Sequence, residues 1–221
     1  MKPRYVRNLM LLLGALVFCG AAGSVPKRIG LFTVDPKTEV ALRVGWTELD
    51  LAFDDTHYHV LVQRNDFHSA HDNETYTFVD PAFNTVFFEP GRLLYKKLAF
   101  PLEHSTSVST ARGADYTLVS VRLLVDTSNK TSHVIVARRD PGGTYVDSRP
   151  VTIELFKFGK NPEGPVTGGP LSAFELVDAF TTIKCYYDSN DALVNELGLS
   201  TSPADSRPMT VDRSAPCTPA R

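Results

Sequence analysis

The sequence predicts a mainly β protein, an antiparallel β-sandwich or barrel of about ten strands, closed by one or two short C-terminal helices. Three observations carry this reading. Apolar and polar residues alternate along much of the chain from Glu39 to Phe158, the period of a strand with one wet face. Clusters of Asp, Pro and Gly cut that pattern into short runs. No helical periodicity separates the early runs, as a parallel βαβ chain would require.

The elements follow in order. Val40, Leu42, Val44 and Trp46 alternate with Glu39, Ala41, Arg43 and Gly45, and Leu49, Leu51 and Phe53 alternate with Glu48, Asp50 and Ala52. Asp54-Asp55 reads as a tight hairpin before Tyr58, Val60 and Val62. Glu74–Asp80, Asn84–Glu89 and Arg92–Phe100 are further candidates, divided by Asp80-Pro81 and Glu89-Pro90-Gly91. Val119, Val121, Leu123 and Val125 oppose Ser120 and Arg122, which the alternation places on a wet face. Val134 and Val136 mark a β-branched stretch, Asp140-Pro141-Gly142-Gly143 a turn, and Val151, Ile153 and Leu155 another strand.

Beyond Phe158 the character changes. Residues 159–170 form a Gly/Pro-rich loop. Ser172-Ala173-Phe174-Glu175 matches a capping box, and Phe174, Val177 and Phe180 continue at helical spacing, so a short helix to Phe180 is expected. Thr181–Tyr187 reads as a strand carrying Cys185, and Asp191–Leu197 as a helix stopped at Gly198.

Composition bounds the class. The chain has 221 residues, 43% hydrophobic and 22% charged, which excludes collagen-like, long coiled-coil and wholly disordered chains. Lys2, Arg4 and Arg7 precede an apolar run from Leu9 to Phe18, followed by Gly20, Ala21, Ala22 and Gly23. This is the pattern of a secretory signal, with cleavage expected after Gly23 or Ala22. The expected organisation is therefore a signal peptide over 1–23, one β-rich domain over 24–199, and a polar tail over 200–221. Removing the three leader cations leaves 20 basic against 25 acidic residues, a net charge of −5. That balance argues against nucleic acid as a partner, because phosphate binding needs clustered positive charge. No later apolar run reaches the length of a membrane span.

An export signal changes how the cysteines read. Cys19 departs with the leader; Cys185 and Cys217 remain as an even pair in an oxidising compartment, expected to form one disulfide that ties the tail to the body. Asn73-Glu74-Thr75 and Asn129-Lys130-Thr131 are N-glycosylation acceptors, expected between strands. Lys27-Arg28 is a dibasic pair that a processing protease would recognise, or a solvated segment.

Few residues point to chemistry. His57 and His59 lie two apart, on the strand face opposite Tyr58 and Val60, and His68 and His71 follow with Asp72. Neutral imidazoles with a carboxylate are a Zn²⁺ ligand set, set against the simpler reading of solvent-facing histidines. No G-x-S-x-G elbow is present, and the loop GKNPEGPVTGG lacks phosphate-loop spacing. Tyr76, Phe78, Phe83, Phe87 and Phe88 crowd one region, with Tyr95 and Phe100 beyond; they are core residues, or the lining of an apolar site.

Taken together, these features lead first to a secreted, N-glycosylated extracellular protein that binds another protein or a glycan without catalysis. A carrier of a small apolar ligand held inside a barrel or between sheets is the alternative. A secreted enzyme using the histidines and zinc is the third reading.

Overall fold

The computed structural model describes residues 27–29, 32–49, 51, 58–65, 73–79, 85–89, 105–112, 116–140, 147–161, 172–200, 214–215 and 217. Two short strands, β1 (Lys27–Ile29) and β2 (Phe32–Val34), pair as a hairpin. A larger sheet is built on β10 (Thr117–Asp126), β11 (Thr131–Arg139), β12 (Arg149–Lys160) and β13 (Ser172–Tyr186), antiparallel in that order. It is extended beside β10 by β3 (Glu39–Val40) and β9 (Ala111–Arg112). Beside β13 lie β7 (Phe87–Glu89), parallel, and β14 (Ser214–Ala215), antiparallel. A smaller sheet runs β4 (Gly45–Leu49), β5 (Tyr58–Asn65), β6 (Asn73–Val79) and β8 (Val108–Ser109). The mainly β, antiparallel expectation therefore holds.

The two sheets pack through one apolar core. Tyr58, Val60, Tyr76 and Phe78 of the small sheet meet Val121, Leu123, Val134, Val136, Phe158 and Phe174 of the large one. Phe174 is the hub. Its ring stacks on Phe88 at 5.0 Å and 9° and meets Phe78 at 4.8 Å and Phe158 at 5.0 Å. Such ring pairs stabilise beyond the area they bury, by about 0.5–1.5 kcal/mol each.

The large sheet is covered on its other face too. Helix α1 (Ser189–Ala192) and the π turn Leu193–Leu197 lay Ala192, Leu193 and Leu197 over Leu124, Ile135, Val151, Ile153 and Leu155. Asp188 caps α1 by accepting from the Asn190 N–H at 2.8 Å. Gly198, at φ 72°, ends the segment in the left-handed region, as its glycine leads one to expect.

Three local expectations need correction. The segment from Ser172 to Phe180 is strand, not helix. Its Phe174–Val177–Phe180 spacing arises from a bulge. The pairing runs Phe156↔Leu176, then Leu155↔Asp178, leaving Val177 as an extra residue that shifts the strand's phase. Phe174 and Leu176 thus enter the inter-sheet core, while Val177 and Phe180 pack on the opposite side. Ser172 caps no helix; its Oγ is buried against the Tyr58 hydroxyl at 2.9 Å.

The run from Val40 to Trp46 is likewise not one strand. β3 belongs to the large sheet and β4 to the small one. The chain crosses between them at Gly45, whose φ of 104° suits a residue without Cβ. Finally, Ser120 and Arg122 are not on a wet face. Both are buried under the C-terminal segment.

The expected hairpin at Asp54-Asp55 and the candidate strand Arg92–Phe100 lie outside the described residues. No helix among the described residues is long and apolar enough to cross a membrane.

Candidate functional site

The crossing from β3 to β4 leaves an opening at the edge of the sandwich. Val40, Leu42 and Val44 border it from the crossing segment, Val121 and Leu123 from β10, and Glu74 and Tyr76 from β6. The space measures about 480 Å³, within the range of about 300–1,000 Å³ found for small-molecule sites. Ala41, Arg43 and Val44 are exposed and mark its mouth, while Tyr76, Val121, Arg122 and Leu123 are buried and mark its floor.

Arg122 organises that floor. Its Nε lies 3.1 Å from Glu39 Oε1, and both side chains are nearly buried. Its Nη1 donates to the Val121 carbonyl at 2.8 Å, and its Nη2 to Asn190 Oδ1 at 2.7 Å. Burial lowers the guanidinium's proton affinity, and Glu39, then Tyr76, Asp188 and Glu74, oppose that shift. Removing one partner of such a buried pair costs about 3–5 kcal/mol, since the other charge is stranded. Across the floor, the Tyr76 hydroxyl donates to Glu74 Oε2 at 2.6 Å.

The C-terminal segment holds this arrangement in place. The Ser200 N–H donates to Glu39 Oε2 at 2.7 Å. The Thr117 N–H donates to Asp188 Oδ2 at 2.9 Å, and Ser189 Oγ to the Thr117 carbonyl at 3.0 Å. Ser189 and Ser120 share a hydrogen bond at 2.6 Å. Alternation in the sequence located Arg122 but gave no sign of this cover. The acidic and amide residues at 188–191 were its only trace.

A second feature lies on the outer face of the small sheet. Trp46 of β4 is 60% exposed. Trp46 sits edge-on to His59, with ring centroids 6.5 Å apart and planes at 85°. Cross-strand register places Trp46 beside Leu61 and Glu48 beside His59.

The remaining sequence candidates fall out as follows. His59 occupies the face opposite Tyr58 and Val60; His57, His68 and His71 lie outside the described residues. Among the described residues no group of three or more His, Cys, Asp or Glu is placed to hold a metal ion.

Cys185 and Cys217 meet at bonding distance, with Cα atoms 5.0 Å apart. Cys185 is buried and Cys217 exposed, and β14 pairs with Cys185 and Tyr186 just before it.

Asn129 is exposed in the turn between β10 and β11, its Nδ2 donating to Asp126 Oδ2 at 2.7 Å. Asn73 is the first residue of β6 rather than a loop residue; its Oδ1 accepts from the Arg112 N–H at 3.1 Å. Lys27 and Arg28 have paired backbone in β1. Tyr76, Phe78 and Phe88 are core; Phe83, Tyr95 and Phe100 lie outside the described residues.

No family model and no curated protein sequence matches this chain. Among solved structures, the crystal structure of CarG is similar. Its TM-score is 0.54 at 19% sequence identity, over 72% of this chain and 94% of that one. At that identity the likeness concerns the fold alone.

Proposed function

We propose that this chain is an exported, N-glycosylated, extracellular β-sandwich protein that acts by binding, through the outer face of its smaller sheet. The observation that carries the reading is Trp46. A tryptophan left 60% exposed on a regular strand is the kind of amphipathic anchor that dominates binding energy at interfaces. The leader pattern and the Cys185–Cys217 geometry support an oxidising compartment. Asn129, on an exposed turn, supports a site open to glycosylation. The partner class is an extracellular protein or a glycan.

Trp46 is the chain's one tryptophan, so its fluorescence reports directly on this face. The test screens the secreted protein against a panel of extracellular glycans and matrix proteins. The expected result is a partner that blue-shifts Trp46 emission and whose affinity falls about tenfold or more in Trp46→Ala. A partner bound equally well by Trp46→Ala would move the binding surface elsewhere.

The cavity of about 480 Å³ at the sandwich edge favours a second reading, that of a small-ligand carrier.

A further inference from the structure

We infer that the cavity between β3, β6 and β10 takes an uncharged amphiphile: an apolar body ending in a hydroxyl or amide head. The inference rests on the carrier reading and adds the chemistry of the ligand to it. Val40, Leu42, Val44, Val121 and Leu123 supply apolar wall, where burying ligand carbon is favourable at roughly 25 cal/mol per Å². Among the described residues the charges on the lining balance, with two acids, Glu39 and Glu74, and two bases, Arg43 and Arg122. Arg122, the buried base of the two, is already ion-paired with Glu39 and donates to Asn190 and the Val121 carbonyl. It needs no counter-ion from a ligand.

A carboxylate or ammonium head would therefore bring an unmatched charge into a partly desolvated floor, and would lose its own hydration on entering. A neutral head avoids that cost. Its oxygen can accept from a guanidinium N–H, and its own O–H or N–H can donate to a phenol oxygen or a carboxylate. Tyr76 with Glu74, and Arg122 with Glu39, present both kinds of group on one floor.

The test uses the full chain and three probes of one tail length at pH 7: nonan-1-ol, nonanoate and nonylammonium, each titrated by calorimetry. The alcohol is expected to bind at least tenfold more tightly than either ion. Leu42→Trp, which fills the space from the crossing segment, should abolish that binding. Val44→Trp fills it from an exposed position at the mouth and should do the same without touching the core. Equal binding of all three probes, or preference for an ion, overturns the ligand class and leaves the carrier reading standing. Absence of binding by the parent chain, or binding unchanged in both tryptophan variants, overturns the cavity as a ligand site altogether.

Discussion

His133 sits on β11 with Leu124 and Lys157 as cross-strand neighbours, and burial, then the Lys157 charge, pushes its pKa down to about 4, with Asp126 opposing. In the unfolded chain a histidine titrates near 6.5. Its folded pKa is depressed, so the neutral ring's contribution is complete above about 6.5 and is lost as pH falls toward about 4. Asp126 acts in a lower window. Hydrogen bonds from Ser128 and Asn129 hold it at about 2, so its contribution is present above its ordinary value and is lost only as pH falls through about 2. Urea midpoints measured across pH should therefore decline between about 6.5 and 4. His133→Gln should flatten that limb and leave the more acidic one in place. A decline in that window that persists unchanged in the variant would assign it to another group. The His133 shift was not legible in the sequence, because it depends on what folds over the residue. Arg122 makes the same point, since its neighbours Val121 and Leu123 describe a one-sided strand equally well whether or not residues 188–200 return to cover it.

At the scale of the element, the strands carrying Tyr58–Val62, Glu74–Val79, Val119–Val125, Val134–Val136 and Val151–Leu155 were legible because period-two burial is a local property of one strand against one core. β13 was not. A single extra residue, Val177, shifts its phase and imitates helical spacing, and the serine of the apparent capping box is spent on Tyr58. This gives a double-mutant test. Ser172→Ala leaves the buried Tyr58 hydroxyl without that partner and should cost about 1–3 kcal/mol. Adding Tyr58→Phe removes the other hydroxyl of the pair and should recover part of the loss, measured by denaturant unfolding. Additive losses would show that the two hydroxyls do not act as a pair. Gly45 was visible as a strand residue, but its role in carrying the chain from one sheet to the other was not. Only the pairing partners of β3 and β4 show where a crossing is needed.

For the whole molecule, the mainly β, antiparallel sandwich-or-barrel class followed from pattern alone, and the paired cysteines from their even number. The second covering layer and the edge cavity did not, since both arise from contacts between segments distant in sequence. The Cys185–Cys217 link spans 32 residues, and in the chain-entropy view closing such a loop stabilises by roughly 3–4 kcal/mol. That gain exists only where thiols oxidise, so compartment and stability are joined in one claim. The direct test is mass spectrometry of the full-length product expressed in a secreting host, digested without reduction. The account requires protein in the medium whose first residue follows Gly23 or Ala22, with Cys185 and Cys217 recovered in one cross-linked peptide. Protein retained inside the cell, starting at Met1 and alkylated at both cysteines, would contradict it.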